Sequence, residues 1–336
     1  MRIALDAMGT DQAPSAEIAG ALIAADKPEI DSIILVGRES VIREEMLKAG
    51  VSSHPKISIV HADEVIGMDE SPAQALKQKK NCSILVAMDL VKRGEADALV
   101  SAGNTGAVMG ASLFTLGRLP GISRPAISGS MPTLEQKPCI VVDIGANVDC
   151  RPQHLLHFAI MGKVFSERVM GQENPTVGLL SIGEEKEKGN DLTSKTYELL
   201  EAADINFIGN VEGKDIPRGK VDVVVCDGFV GNILLKFGEG FAEMIMNSLK
   251  AEMAPLVMAN AESARPMMDA FSRFKKKVDY AEYGGAPLMG INGTIIICHG
   301  RSNGKAIANA IRLASQAVIQ NVNQHIADEI KPVMES

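Results

Sequence analysis

The sequence has no tryptophan, and its aromatic residues are nine phenylalanines and three tyrosines among 336 residues. Leucine, isoleucine, valine and methionine must therefore fill most of the core. No apolar run approaches the roughly 20 residues of a membrane-spanning helix, and the amino-terminal stretch MRIALDAMGTD has no signal-peptide cleavage region. The five cysteines are never in CxxC spacing, which indicates reduced, mostly buried thiols. These absences favour a cytoplasmic protein.

Several short motifs that indicate a particular chemistry are also missing. The chain has no GxGxxG after a strand, no GxSxG and no HExxH, the usual signatures of a dinucleotide-binding enzyme, a serine hydrolase and a zinc protease. The segment HGRSNGKA at 299–306 differs from a Walker A loop, since it lacks the leading glycine and a hydroxyl residue after Lys305. His154 and His157 have no neighbouring pair of carboxylates, so we expect them to be structural and expect no metal.

Net charge and length limit the remaining classes. The formal net charge is −8, which disfavours nucleic acid as a partner because phosphate-tracking surfaces usually carry a basic excess. Basic residues cluster locally in KQKK at 77–80 and in FSRFKKKV at 271–278. The length suits one large domain or two smaller ones. Since no low-complexity linker or repeat divides the chain, we expect a single domain over residues 1–336.

Strand-like and helix-like segments alternate almost from end to end. The nine predicted strands are short, rich in β-branched residues and nearly continuous in hydrophobicity, as strands buried on both faces are. They are RIALDA, SIILVG, ISIVHA, ADALVSA, KPCIVVDIGA, TVGLLSIG, INFIGNV, VDVVVCDG and TIIICHG. Amphipathic segments of helical period lie between them, as at about 231–250 and 152–170. This alternation predicts an α/β fold with a mostly parallel sheet and helices on both faces, interrupted by a helical insertion at about 251–285.

Loops rich in glycine, asparagine and acidic residues follow six of these strands. They are DAMGTD (6–11), SAGNTGA (101–107), DIGANVD (143–149), SIGEEKEKGND (181–191), DGFVGN (227–232) and HGRSNGK (299–305). Because the carboxyl ends of parallel strands share one edge of a sheet, we expect the six loops to lie together. Glycine allows close backbone approach, and helix starts offer free N–H groups, so such loops favour phosphate. One Gly-Asn pair alone is more often a turn with a helix cap.

The ordered set of loop motifs resembles the PlsX family of bacterial phosphate acyltransferases over essentially the whole chain. DAMGTDQAP is similar to the family's opening DAMGGDxAP, and SAGNTGA, DIGANVDC, SIGEExxKGN, CDGFVGN, YGGAPLMGINGT and HGRSN follow in the family's order. Three positions depart from the pattern: Thr10 replaces a usual glycine, Gln12 a frequent histidine, and Asn81 a common aspartate. Asn81 therefore cannot supply the negative charge of an aspartate.

The resemblance implies a function and a set of partners. It implies acyl transfer from acyl-acyl carrier protein to inorganic phosphate, which gives acyl phosphate for a membrane-bound glycerol-3-phosphate acyltransferase. It also implies a homodimer, no redox cofactor, and a three-layer αβα fold similar to phosphotransacetylase and to the isocitrate and isopropylmalate dehydrogenases. The alternatives are a phosphotransacetylase that acts on short acyl-CoA, a decarboxylating dehydrogenase and a non-catalytic anion-binding protein.

Phosphorolysis of a thioester needs a positioned phosphate and hydrogen-bond donors for the oxyanion more than it needs a general base. We therefore assign catalytic roles to Lys188 (phosphate charge), Asn232 and Asn104 (phosphate or carbonyl oxygen) and His299 (a proton for the leaving sulfur). We expect the substrate-binding residues to be Asp6, Gly9, Ser101, Gly103, Thr105, Gly106, Asp143, Gly145, Asn147, Gly189, Asn190, Asp227, Gly228 and Gly231. Asp143 and Asp227 suit loop-fixing roles, since a carboxylate acting near phosphate would repel it.

The insertion at 251–285 carries apolar residues at helical spacing beside basic ones. A basic amphipathic helix suits an anionic membrane surface or an acidic protein such as acyl carrier protein. We expect peripheral association with the inner face of the membrane or contact with carrier protein through Phe271, Arg273, Phe274, Lys275, Lys276 and Lys277. Burial of the apolar face in a dimer interface is the alternative.

Overall fold

A computed structural model describes residues 1–135, 137–259, 261–278 and 284–335, without the side chains of 259, 261–263, 276–278 and 332–335. Eleven strands form one sheet in the order β3-β2-β1-β4-β11-β10-β5-β6-β9-β7-β8. Their bounds are β1 Arg2–Asp6, β2 Ser32–Gly37, β3 Ile57–His61, β4 Ala98–Ser101, β5 Ala126–Met131, β6 Cys139–Val142, β7 Val177–Leu180, β8 Phe207–Val211, β9 Val223–Val225, β10 Ala286–Met289 and β11 Thr294–Ile297. All nine strands predicted from the sequence are confirmed.

Twelve helices belong to the described part of the chain. They are α1 Ser15–Ala25, α2 Glu39–Lys48, α3 Pro72–Gln78, α4 Ser83–Lys92, α5 Thr105–Thr115, α6 Pro152–Arg168, α7 Asp191–Ala202, α8 Asp215–Arg218, α9 Gly228–Ala259, α10 Ala261–Val278, α11 Gly304–Ile319 and α12 Val322–Glu335. Two hydrophobic clusters, one on each face of the sheet, bury alternate residues of the same strands: Ile3 and Leu5 belong to one cluster and Ala4 to the other. The α/β class with helices on both faces is confirmed.

Strand direction divides the sheet into two blocks. Seven of the ten neighbouring pairs are parallel, and the three antiparallel pairs are β11–β10, β10–β5 and β5–β6. Three reversals mean that β6, β9, β7 and β8 run opposite to β3, β2, β1, β4 and β11. We call the sheet edge at the carboxyl ends of β1, β4 and β11 the first edge. The opposite edge, at the carboxyl ends of β6, β9 and β7, is the second edge.

The expectation that all six glycine-rich loops share one edge is therefore wrong. The loops that begin at Asp6, Ser101 and His299 lie at the first edge, and those that begin at Asp143, Ser181 and Asp227 lie at the second. The physical reason is the pair of strands β5 and β10, which the sequence pattern did not predict and which reverse the direction of the sheet.

Helix α9 begins at the second edge and extends over 32 residues. Its inward residues Leu234 and Leu235 pack against one core cluster. Its outward face exposes an apolar stripe, in which each side chain is between 49% and 68% exposed: Phe229, Ile233, Phe237, Phe241 and Met244. No helix among the described residues combines the length and hydrophobicity needed to span a bilayer.

The insertion predicted at 251–285 is helical over 251–259 and 261–278, as the end of α9 and all of α10, and Gly284 and Gly285 lie outside any helix. Phe271 is half-buried, while Arg273, Phe274 and Lys275 are exposed. The side chains of Lys276 and Lys277, which were predicted to contribute to the same basic face, lie outside the described residues.

Candidate functional site

A buried carboxylate organises the first edge. Asp6, at the end of β1, accepts a hydrogen bond from the Ser101 hydroxyl at 2.7 Å and from the Met8 amide at 3.2 Å. The Ser101 oxygen in turn accepts from the Gly103 amide at 3.2 Å. Burial raises the pKa of Asp6, and hydrogen bonds from Ser101 and Ser83 oppose that rise. The predicted residues Asp6, Ser101 and Gly103 therefore form one network, which fixes the loop rather than facing solvent.

The loop after β1, residues 6–11, is held tightly against this network, and we call it the opening loop. A Cβ atom at Gly9 would lie 2.6 Å from the Gly103 nitrogen, so only glycine permits this approach of the two loops. Thr10 donates from its amide to Glu17 at 2.7 Å and from its hydroxyl at 3.0 Å. Thr10, which departs from the family pattern, thus has a defined partner of its own. Glu17 was not predicted as a site residue, because a glutamate inside a helix carries no motif.

Asn104 caps α5 and ties it to a neighbouring loop. Its side-chain oxygen accepts from the Ala107 amide at 3.1 Å, and its amide nitrogen donates to three carbonyl oxygens at 3.1–3.2 Å, those of Gly67, Met68 and Glu70. These bonds occupy the side chain, so Asn104 is placed to position α5. The first-turn amides of α5, at Thr105 and Gly106, remain the donors that this end of the helix offers an anion.

His299 follows β11 at the first edge. Burial, together with the positive charge of Lys236, lowers the pKa of this histidine. The ring is therefore neutral at pH 7. Because Lys236 belongs to the third turn of α9, that helix reaches from the second edge toward His299.

Asp143 organises the second edge as Asp6 does the first. It is fully buried and accepts five hydrogen bonds at 2.7–3.1 Å. The donors are the amides of Ile127, Gly145, Ala146 and Asn147 and the Asn147 side chain. Burial raises the pKa of Asp143, and these bonds oppose the rise. The amides of the predicted anion loop at 145–147 are therefore already donated to Asp143, which agrees with its loop-fixing role.

The start of α9 packs directly on residues 143–149, which we call the Asp143 loop. The Gly228 amide donates to the Asn147 carbonyl at 2.7 Å. A Cβ at Gly231 would lie 1.8 Å from the Asp143 carbonyl oxygen. Asp227 accepts from the Val230 amide at 2.8 Å and so caps the helix. Both glycines therefore allow close packing of the helix, and the hydrogen bond from Val230 holds Asp227 at its start.

Asn232 is exposed at this junction. Its Cβ lies 3.7 Å from the position of a Cβ built on Gly145, whose φ of 144° only glycine adopts readily. Asn232 therefore projects into solvent beside the Asp143 loop, where its amide can contact a ligand.

Lys188 lies in the loop between β7 and α7, at the same edge. Its backbone carbonyl accepts from the Ser181 hydroxyl at 3.1 Å, its side chain is exposed, and it forms no ion pair with any carboxylate in the described chain. Asn190 caps α7 by accepting from the Thr193 amide at 3.0 Å. Gly189, with a φ of 127°, makes the turn between them. The loop thus presents an exposed lysine at the second edge.

The cysteines do not provide a nucleophile near either edge. Burial raises the pKa of Cys150 to about 12 and that of Cys226 well above its usual range, with Asp143 and Asp227 adding to both effects. Both thiols are therefore protonated at neutral pH, whereas the thiolate is the reactive form.

A cluster of three carboxylates near the second edge has the spacing to hold a cation. Oxygen atoms of Glu184, Glu212 and Asp215 lie within 4.8 Å of one another. Lys220 lies 2.9 Å from Glu184, and Lys214 pairs with Glu212. These lysines supply the positive charge that a metal would supply. The Nδ1 of His154 accepts a hydrogen bond from the Arg151 amide at 3.2 Å at the start of α6.

Two arginines at the second edge were missed in the sequence. Arg124 directly precedes Pro125 and β5, and Arg151 precedes α6. They lie outside the glycine-rich motifs, and only the antiparallel pairing of β5 with β6 brings Arg124 to this edge. The second edge therefore combines Lys188, Asn232 and two arginines.

The fold defines a class of proteins. A phosphotransacetylase from Streptococcus pyogenes has a TM-score of 0.62 at 17% identity, with 95% of this chain and 94% of that chain covered. The EutD phosphotransacetylase from Staphylococcus aureus gives the same TM-score at 16% identity and the same coverage. The chain thus has the phosphotransacetylase fold.

The sequence comparisons define the family. Residues 1–325 match the model of the fatty acid synthesis protein family. A phosphate acyltransferase from Heliobacterium modesticaldum is 51% identical over 99% of this chain and 100% of its own length, and one from Geobacter sulfurreducens is 52% identical over 98% and 94%. The chain belongs to this family of phosphate acyltransferases, the PlsX family that its motifs resemble.

Proposed function

We propose that the protein transfers an acyl group from acyl carrier protein to inorganic phosphate and releases acyl phosphate and the carrier thiol. The observation that carries the proposal is the full-length family match together with a second edge at which the side chains of Lys188 and Asn232 are exposed. Asp143, the buried carboxylate of this edge, accepts five hydrogen bonds and is not placed to take a proton from substrate.

The proposed chemistry is a displacement at the thioester carbonyl. A phosphate oxygen attacks the carbonyl carbon, negative charge collects on the carbonyl oxygen, and the C–S bond breaks as the acyl phosphate bond is completed. The thiolate then takes a proton from water, which is adequate for a leaving group with a pKa of about 8.5. Positioning the phosphate can supply roughly 7–11 kcal/mol of the barrier reduction, and each oxyanion donor about 3–4 kcal/mol.

We assign the roles within this scheme as follows. Lys188 pairs with phosphate, and Asn232 orients the carbonyl or the phosphate. Gly145, Asn147, Gly189, Asn190, Asp227, Gly228 and Gly231 shape the second edge, while Asn104 with Asp6, Gly9, Ser101, Gly103, Thr105 and Gly106 shapes the first. His299 is neutral and lies at the first edge, so with the reacting atoms held by Lys188 and Asn232 at the second edge the proton for the leaving sulfur comes from water.

Thiol release tests the function directly. Palmitoyl-acyl carrier protein, palmitoyl-CoA and acetyl-CoA are compared with and without inorganic phosphate. Phosphate-dependent release from the carrier-protein substrate is expected. Release from acetyl-CoA alone would instead assign a phosphotransacetylase activity, the second candidate, which the fold comparison favours. Release from none of the three by folded protein would contradict both.

Replacing Lys188 or Asn232 with alanine is expected to lower kcat/KM about ten- to hundredfold, because each variant loses one hydrogen bond to a charged group. Both side chains are exposed, so thermal unfolding should be nearly unchanged. Steady-state thiol release measures the effect, and Lys195→Ala on α7 is a matched control for the lost charge. Near-normal turnover in both variants would contradict the assignment.

We further propose a cytoplasmic homodimer that associates peripherally with the inner face of the membrane and passes acyl phosphate to a membrane glycerol-3-phosphate acyltransferase. The exposed apolar stripe of α9 supports a subunit interface, since exposed apolar patches of this kind mark association sites. Exposed Arg273, Phe274 and Lys275 on α10 support contact with anionic lipid.

Flotation with phosphatidylglycerol vesicles tests the membrane role. Phe274→Asp is expected to reduce the bound fraction about tenfold, because the variant places a charge where an apolar ring would enter the interface. Phe114→Asp changes an 86% exposed phenylalanine on α5 and is the matched control. Equal lipid binding by the two variants would contradict a membrane role for this face of α10.

A further inference from the structure

Two arginines border the second edge on either side of the Asp143 loop. The carbonyl of Pro125, the residue after Arg124, accepts from the Asn147 side chain at 2.8 Å. Arg151 follows the same loop and is the N-cap residue of α6. Strand β5 enters the sheet where β6 ends, because the two strands are antiparallel. The hydrogen bond between Pro125 and Asn147 therefore keeps the backbone of Arg124 beside the loop. Arg151 is beside the loop because it follows it directly in the sequence.

The electrostatic effects of the two guanidinium groups converge. Burial lowers the pKa of His154, and the charges of Arg124 and Arg151 both lower it further. The charge of Arg124 also lowers the pKa of the Cys150 thiol at the end of the loop, and the charges of Asp143 and Asp227 raise it. The two arginines therefore share one neighbourhood, and that neighbourhood includes the start of α9.

Neither arginine has a carboxylate partner. Both are exposed, and neither takes part in an ion pair anywhere in the described chain. The negative charge of Asp143 is buried and surrounded by five donors, and Asp227 accepts from the amide of Val230. Two cations thus face solvent at this edge without an ion pair among the described residues.

Several backbone groups beside the two arginines are not available to an anion. The amides of Gly145, Ala146 and Asn147 donate to Asp143, and the Gly228 amide donates to the Asn147 carbonyl. Pro152, the first residue of α6, has no N–H group to offer. These backbone donors are already engaged, and exposed guanidinium groups match phosphate oxygens through paired N–H donors.

We propose that Arg124 and Arg151 form a phosphate-binding subsite at the second edge. The proposal rests on the proposed function for its setting and goes beyond it in naming residues and ligand chemistry. Two sources could supply the phosphate group: inorganic phosphate itself, or the phosphate ester of the phosphopantetheine arm that carries the acyl group. The subsite recognises the oxyanion that both have in common.

Equilibrium binding, which needs no turnover, tests the subsite. Titration calorimetry compares inorganic phosphate, phosphopantetheine and pantetheine on the wild type, Arg124→Gln, Arg151→Gln and Arg168→Gln. Arg168 is exposed at the far end of α6, so its variant removes the same charge about 24 Å away. Removing one charge-assisted contact is expected to weaken binding about ten- to hundredfold.

The outcomes separate the two sources. Weaker inorganic phosphate binding in both Arg124→Gln and Arg151→Gln assigns the subsite to the phosphate substrate. Unchanged phosphate binding, with loss of the preference for phosphopantetheine over pantetheine, assigns it to the carrier arm. The proposal is overturned if both variants match Arg168→Gln for every ligand, or if the wild type binds no phosphate compound. Because binding is measured without an acyl donor, absence of acyl transfer would contradict the proposed function and leave this result standing.

Discussion

Gly231→Ala is expected to destabilise the folded protein by roughly 4 kcal/mol, beyond the usual cost of overpacking. The Cβ of alanine would lie 1.8 Å from the carbonyl oxygen of Asp143 and 3.0 Å from the Cys226 sulfur. The oxygen belongs to the backbone of a loop that Asp143 itself fixes through five hydrogen bonds, so it cannot move aside without disrupting the loop. The start of α9 would have to lift away from the sheet, and Asn232 would move with it.

The same helix provides the control. Gly238 and Gly240 also lie in α9, and no heavy atom lies within 4 Å of a Cβ built on either. Alanine at these exposed positions is expected to stabilise the helix by about 0.5–1 kcal/mol, since glycine is the costlier residue inside a helix. Urea unfolding of the three single variants compares them directly. Equal stabilities of Gly231→Ala and Gly238→Ala would contradict the packing described for the second edge.

The class of fold was readable from the sequence because its nine predicted strands are apolar and β-branched and alternate with helices. Strand direction was not readable. Strand β5 reads AISGSM, in which serine and glycine interrupt the apolar pattern, and β10 reads APLM with a proline inside it. Neither segment has a local signature of a central strand. Yet these two strands reverse the sheet and so separate Asn104 and His299 from Lys188 and Asn232.

The candidate site was predictable in part for a similar reason. Glycine and asparagine after a strand correctly marked the loops that build both edges. Their hydrogen-bond partners could not be predicted, because the acceptor for the amides of 145–147 is the aspartate that precedes them, and its burial depends on the whole sheet. Arg124 and Arg151 could not be predicted as site residues, because an isolated arginine is usually a solvated surface residue. Only the pairing of β5 with β6 gives these two a common location.

A second large effect is expected at Glu17, which is fully buried beneath the opening loop. Burial raises the pKa of Glu17 from 4.5 to about 7, and the charge of Asp6 adds to the rise. The hydrogen bonds from Thr10 oppose the rise only in part. At 1.36 kcal/mol per pKa unit, this difference corresponds to roughly 3 kcal/mol of folding free energy.

The direction of the pH effect follows from proton binding. Below about pH 4.5 the carboxyl group is protonated in both the folded and the unfolded chain. Between pH 4.5 and about 7 the folded protein holds a proton that the unfolded chain has released, so stability falls as the pH rises. Above that range the carboxylate is charged in both states, and the full cost of burying it remains.

Glu17→Gln is therefore expected to be more stable than the wild type by roughly 3 kcal/mol at pH 8 and nearly equal to it at pH 5. The amide keeps an oxygen for the Thr10 N–H group and gains a donor for the Thr10 hydroxyl, so the loop should stay in place. Denaturant unfolding at both pH values measures the difference. Asp6, whose pKa burial also raises, keeps part of the wild-type pH slope in the variant.

Exposed Glu187, in the loop before α7, provides the matched control through Glu187→Gln, which removes the same charge without a burial cost. Its stability should follow the wild type at both pH values. A Glu17→Gln variant that gains no more stability at pH 8 than at pH 5 would show that Glu17 is already charged in the folded state at pH 5. The opening loop would then rest on an ionised carboxylate, and Thr10, with its two hydrogen bonds to Glu17, would be the residue that stabilises that charge.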